Sequence, residues 1–187
     1  MLRGDNRLNK YILIKVIDKV TSNPNTRYSV RGLSKILNIS SSTSKSALDY
    51  MKEKGMVTLE VIGKTYQYQI DLSNPLTRQW KVLFNLDKVH GLNLVKNLIK
   101  QTDHIYSILL YGSMAKGLND IKSDIDLLVI VDKNKKFNLN FIKSQDINIS
   151  IYTMKEWKRN AKQNKVFYEN VIYDSIVLYG DRPVVVL

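Results

Sequence analysis

Asp124 and Asp126 stand two residues apart at the head of an apolar run, Ile125 and Leu127 to Val131. Residues i and i+2 of a strand face the same way, so both carboxylates point at one spot. Upstream, Leu109-Leu110-Tyr111-Gly112-Ser113-Met114-Ala115-Lys116-Gly117 reads as a strand, a Gly-Ser turn and a short helix. Such a turn can present backbone N–H groups to phosphate. Paired carboxylates together with substrate phosphates are the usual way a protein holds Mg²⁺. These residue types in this order predict metal-assisted transfer from a nucleoside triphosphate.

Several elements must position those groups. Ile105 to Tyr111 reads as a buried strand and Ser113 to about Leu118 as the start of a helix. Ile125 to Val131 is apolar enough to be buried on both faces. Ile147, Ile149 and Ile151 alternate with Asn148, Ser150 and Tyr152, which predicts another strand. Phe141 to Lys143 is expected to form an edge strand or part of the connection. Lys155 to Gln163 and Lys165 to Tyr173 read as helices that Trp157, Phe167 and Tyr168 anchor to the sheet. Ser175 to Gly180 reads as a last short strand. Before the first of these strands, Thr77 to about Asp87 and Leu92 to Lys100 read as helices.

Gly112-Ser113-x-Ala115-x-Gly117, then ten intervening residues between Ser113 and Asp124, then Asp124-x-Asp126 before an apolar strand, resembles the nucleotidyltransferase superfamily of DNA polymerase β. Its minimal nucleotidyltransferases are the nearest type, and the likeness covers roughly the last hundred residues. It implies a small mixed sheet with helices on one side. It implies that Asp124 and Asp126 bind Mg²⁺ or Mn²⁺ with the triphosphate of an NTP such as ATP. Gly112 and Ser113 would hold the terminal phosphates, with Lys116 close enough to assist. A second metal would activate an acceptor hydroxyl, since two-metal sites stabilise both attacking and leaving oxygens. The family's third carboxylate belongs on the next strand, whose polar face is Asp146, Asn148 and Ser150. Asp146 is the acidic candidate. Aligning on Tyr152-Thr153 instead puts Asn148 or Ser150 there, and choosing Asp146 shifts the register by about 7 Å. Minimal nucleotidyltransferases also pair with small helical HEPN-type proteins, so an antitoxin-like partnership is a further reading.

The first part of the chain has a different pattern. Leu8, Ile12, Ile14, Val16, Ile17 and Val20 predict a first helix, which Ser22-Asn23-Pro24-Asn25 stops. Ser29 caps a second helix through Leu37, with Val30, Leu33, Ile36 and Leu37 inward. A third runs from about Ser41 to Lys54 with Ala47, Leu48 and Met51 inward, and Gly55 ends it. Met56–Ile62 and Tyr66–Ile70 then alternate with period two around a Gly63-Lys64-Thr65 turn, predicting a hairpin. Three helices and a hairpin resemble a winged helix-turn-helix domain, here about residues 6–72. In that motif the third helix enters the major groove with its N-terminal residues first. Ser41, Ser42, Thr43 and Lys45, with Lys64 at the wing tip, are therefore the candidates for double-stranded DNA. Domains of this kind also dock proteins or dimerise, so a protein-interaction role and a homodimer stay open.

Leu72-Ser73-Asn74-Pro75-Leu76 reads as the linker. The expected organisation is residues 1–75 as the winged helix-turn-helix and 76–187 as the nucleotidyltransferase domain with its connecting helices, an α/β (α+β overall) chain. Two function classes follow: an NTP-dependent transferase with a DNA-binding winged helix, or a regulator whose degenerate transferase domain senses nucleotide.

Composition agrees with a polyanion partner. The 187 residues carry a net charge of +12, which favours nucleic acid or nucleotides. Residues 1–75 hold 12 basic and 6 acidic residues, and 76–187 hold 17 and 11, so each part is +6. Lys133, Lys135 and Lys136 read as a solvated loop. There is no cysteine, which excludes disulfides and thiolate metal sites. No apolar run reaches the roughly 18 residues of a membrane span, and Met1–Arg7 is no signal-peptide core; a cytoplasmic, membrane-free location is the expectation.

Overall fold

A computed structural model describes residues 11–133, 136–142 and 146–185. Leu8, Lys135 and Lys143 fall outside the described residues. The chain divides into two compact units, Met1–Asp87 and Lys88–Leu187.

The first unit begins with α1 (Ile12–Ser22), β1 (Arg27–Tyr28), α2 (Val30–Leu37) and α3 (Ser41–Glu53). The hairpin β2 (Val57–Ile62) and β3 (Thr65–Ile70) follows, then α4 (Pro75–Gly91). Ser29 caps α2 by accepting from the Gly32 N–H, and Asn38 ends it in the left-handed region at φ 53°. Ser40 caps α3 by accepting from the Thr43 N–H at 3.0 Å. These side chains take up donors that a helix start leaves unpaired. Val16, Ile17, Val20, Leu33, Leu48 and Met51 meet Tyr68 and Ile70 in one core. Ile36, expected inward, is 55% exposed. The inward face of α2 is centred on Leu33 and Ser34, which leaves Ile36 aside. A two-residue β1 completes an antiparallel sheet of order β1-β3-β2, with Tyr28 opposite Tyr68.

The linker reading has a local counterpart. Asn74 caps α4 by accepting from the N–H groups of Leu76 and Thr77, and Pro75 occupies the first helical position. The expected boundary after residue 75 is the start of this helix, whereas the structural division falls inside it. Trp80 and Phe84 pack on the first core, and the buried Lys81 donates to the Thr21 carbonyl at 2.8 Å.

The second unit holds α5 (Leu94–Ile99), β4 (Ile105–Tyr111), α6 (Gly112–Lys116), β5 (Ile125–Val131) and β6 (Ile147–Thr153). After them come α7 (Met154–Gln163), α8 (Lys165–Asp174) and β7 (Ile176–Gly180). The strands form one mixed sheet of order β6-β5-β4-β7. β4 is antiparallel to both β5 and β7, and β5 is parallel to β6. Leu109, Leu128 and Ile130 face α7 and α8 through Trp157, Ala161, Tyr168 and Val171. Ile108, Val129 and Val131 face the opposite way and are covered by Leu98 of α5 with Val95, Leu139 and Phe141. The implied one-sided layer is therefore corrected: helices cover both faces, because the central strands are apolar on both. Phe141 and Ile142 form no edge strand. The Ile142 N–H bonds the Leu139 carbonyl in a tight turn that packs Phe141 on the core, and β6 is the strand beside β5. Among the described residues no helix is long and apolar enough to cross a membrane.

Thr153 and Glu156 close α7 with a reciprocal capping box. Hydrogen bonds from the Thr153 backbone N–H and hydroxyl hold the Glu156 carboxyl below its ordinary range. A depressed folded-state pKa gives stability that is present above the unfolded value and lost as pH falls through the folded one. Wild type is thus expected to lose stability relative to Glu156→Gln as pH drops below about 4.3. Denaturant midpoints of both proteins at pH 7 and pH 3.5 check this; a gap that does not shrink on acidification contradicts it.

Candidate functional site

The site forms where β4 ends and β5 begins, because the β4–β5 pairing sets Tyr111 opposite Asp126. Gly112 then turns the chain into α6 at φ +75°, a conformation that L side chains rarely adopt. The turn is also crowded: a Cβ on Gly112 would lie 2.5 Å from Asp126 Oδ2. Glycine is required here by both the backbone angle and the closeness of the carboxylate. α6 has no side-chain cap, so the N–H groups of its first turn are not taken by one. Gly117, at φ +67°, ends the helix, and the Leu118 N–H returns to the Ser113 carbonyl at 3.0 Å.

A second turn leads into β5. Asp120 accepts from the Lys122 N–H at 2.9 Å and the Ser123 hydroxyl at 3.1 Å, while its own N–H donates to Ser123 Oγ. These bonds, led by that from the Lys122 backbone, lower the Asp120 carboxyl pKa. The same bonds make Asp120 part of the turn that precedes Asp124, and the Asp-x-x-Ser spacing is the signal in the sequence for that turn.

The parallel pairing places Asn148 directly beside Asp126. The Asn148 amide donates to Asp124 Oδ2 at 3.0 Å and to Asp126 Oδ1 at 3.1 Å. The two aspartates predicted to act together are therefore held together. The third position on this face is an amide, and Asp146, the acidic candidate, does not take it. Asp146 lies just before β6 and gives its backbone carbonyl to the Ile125 N–H at 2.8 Å. Among the described residues, no three His, Cys, Asp or Glu side chains are grouped to hold a metal. The two carboxylates fit one Mg²⁺ that takes its remaining ligands from phosphate and water; they do not fit the second ion implied by the resemblance.

Around this pair, Tyr111 packs edge-on against Phe167 of α8. Burial raises the Tyr111 phenol pKa, a bond with Ser150 opposes the rise, and the Asp126 charge adds to it. Lys116 is drawn to α8, where its ammonium lies 2.5 Å from Asp174. Its charge is thus engaged by a carboxylate of α8.

In the first unit, Ser41, Ser42 and Lys45 are exposed at the start of α3, with Thr43 half-buried beside them. Ser42 and Thr43 share the Ser40 hydroxyl at 2.8 and 2.7 Å, and Ser41 meets Ser34 at 3.4 Å. Lys45 pairs with Asp49 one turn on, at 2.6 Å. Lys64 is exposed at the hairpin turn.

Residues 93–183 match the family model described as "Polymerase beta, Nucleotidyltransferase". No curated protein matches the chain significantly. A solved structure from Sulfolobus solfataricus, provisionally described as a nucleotidyltransferase, is 15% identical to it with a TM-score of 0.37. That likeness covers 54% of this chain and 87% of the other.

Proposed function

We propose, from the match of residues 93–183 to the polymerase beta nucleotidyltransferase family model, that the second unit binds a nucleoside triphosphate with one Mg²⁺, and that the first unit is a winged helix-turn-helix that binds duplex DNA. The observation that carries the nucleotide reading is the convergence of Asp124 and Asp126 beside the tight Gly112 turn. Gly112 and Ser113 would meet the terminal phosphates with backbone N–H groups. Asp124 and Asp126 would hold the cation on their free lone pairs. A cation held there would neutralise phosphate charge.

The DNA reading is supported by the order helix, short strand, helix, helix, hairpin and by the exposed start of α3. Ser41, Ser42 and Thr43 offer hydroxyls to phosphates and base edges. Lys45 would exchange Asp49 for a phosphate, and Lys64 would add a contact from the hairpin. Together the units make a DNA-bound protein that responds to nucleotide.

A second reading, transfer of a nucleoside monophosphate to an acceptor hydroxyl, is favoured by the intact Gly112-Ser113 turn and Asp124/Asp126 pair. There the acceptor oxygen bonds the α-phosphorus, pyrophosphate leaves and the hydroxyl proton passes to solvent.

Titration with a fluorescent ATP analogue and Mg²⁺ tests binding. Saturable binding that Asp124→Asn/Asp126→Asn weakens at least tenfold is expected; equal binding by the double variant sinks the reading. Incorporation of label from α-³²P NTPs separates transferase from sensor. For DNA, the wild type is expected to bind duplex with steep salt dependence. Lys64→Ala should lower the log–log slope by about one. A salt-independent signal, or none, assigns the first unit to protein docking.

A further inference from the structure

We propose that Asn148 restricts this site to one divalent cation per bound triphosphate, so that nucleotide is held without a second ion to activate an acceptor. This inference rests on the nucleotide-binding reading above. Its basis is the direction of the two hydrogen bonds. Asn148 Nδ2 is a donor and carries no lone pair for a metal. It spends its two N–H groups on Asp124 Oδ2 at 3.0 Å and Asp126 Oδ1 at 3.1 Å. Turned over, the amide would offer its carbonyl oxygen as a neutral ligand, without the negative charge that a third carboxylate would bring to a second ion.

The parallel register Asp126↔Asn148 puts this amide where a third ligand from β6 would have to stand. The neighbouring acids do not replace it. The Asp120 carboxylate is engaged with Lys122 and Ser123, and no third acid joins the pair among the described residues. One Mg²⁺ is satisfied by one or two carboxylates plus phosphates. A second ion would have to share those carboxylates with only a neutral amide in place of a third acid.

Asn148 also has a positive role. Asp124 and Asp126 carry like charges that repel each other, and both reach the same amide. The amide bridges them through charge-assisted bonds that are stronger than neutral ones. The site is thereby shaped for the first ion and closed to the second.

The test uses Mn²⁺ in place of Mg²⁺, a non-hydrolysable ATP analogue, and the electron paramagnetic resonance of the protein-bound fraction. Two Mn²⁺ ions a few ångströms apart give an exchange-coupled spectrum, while one gives isolated-ion lines. Wild type with analogue is expected to show isolated-ion lines only. Asn148→Asp should bring up the coupled signal and raise bound Mn²⁺ from one to two per protein. Asn148→Ser removes the bridging amide and adds no ligand for a second ion, so it should bind a single Mn²⁺ more weakly than wild type. A coupled pair in wild type, or its absence in Asn148→Asp, overturns the proposal while leaving nucleotide binding standing. Failure of wild type to retain the analogue overturns the nucleotide reading itself, and this proposal with it.

Discussion

Gly112→Ala is expected to weaken nucleotide binding by ten- to a hundredfold while leaving the second unit folded. Two costs act at once. Alanine at φ +75° must adopt a left-handed conformation that costs roughly 1–2 kcal/mol for an L residue. Its methyl would also lie 2.5 Å from Asp126 Oδ2, so the carboxylate has to swing away. That movement breaks the bond to Asn148 and, on the proposed reading, displaces one of the two carboxylates that would hold the cation. Each 1.4 kcal/mol is about a factor of ten in affinity, so the backbone cost alone approaches tenfold if the turn flips to escape it. Gly63→Ala is the control. It has a similar φ of +60° with nothing within 4 Å, so it imposes the strain without the collision. It should cost stability and leave nucleotide affinity unchanged. Titration of all three proteins with the same ATP analogue decides; equal affinity for Gly112→Ala and wild type refutes the close-approach argument.

Trp157→Ala should be the most damaging single change in the second unit, at about 3–5 kcal/mol. Trp157 is fully buried on α7. Tyr152, Phe167 and Tyr168 surround it with ring centroids at 5.9, 6.2 and 5.3 Å. Its indole N–H donates to the Pro183 carbonyl at 2.8 Å. Truncation opens a cavity between the helices and the sheet and leaves a buried carbonyl without its donor. Against a total of about 5–15 kcal/mol for a domain, this is a large fraction. Phenylalanine at the same position retains most of the apolar surface and loses the bond, so Trp157→Phe should fall between the two. Chemical denaturation followed by circular dichroism measures the series; a loss under about 1 kcal/mol for Trp157→Ala would contradict the packing described.

The candidate site was legible because it depends on short-range spacing. Asp124 and Asp126 sit on one face of a strand by parity alone, and Gly112-Ser113 precedes them in an order that chemistry restricts. The same parity identified Asn148, Ser150 and Asp146 as the facing set on the next strand. Which of them meets the aspartates is a question of register between strands, and the structure answers with Asn148. Lys116 was less legible, because its partner Asp174 lies on another helix. The helices and hairpin of the first unit follow from periodicity and caps. The two-residue β1 carries too short a pattern to read, and its existence depends on pairing with β3. Burial of Lys81 depends on a carbonyl sixty residues away and leaves no local trace. The second helical layer over the sheet was foreshadowed by the two-faced burial expected of Ile125 to Val131, and the one-sided expectation overlooked that hint.

Strand order carries a consequence for synthesis. β7 is the late partner of β4: Ser107 waits for Gly180 and Leu110 for Ile176. The face behind Trp157 is likewise closed by Pro183 and Val185. The first unit, by contrast, has its three-stranded sheet complete once Ile70 is made. Domains emerge and fold N-terminal first at about 5–20 residues per second. The first unit can therefore finish its sheet while the strands that frame Asp124 and Asp126 still lack their β7 edge, so the two units acquire their folds in sequence.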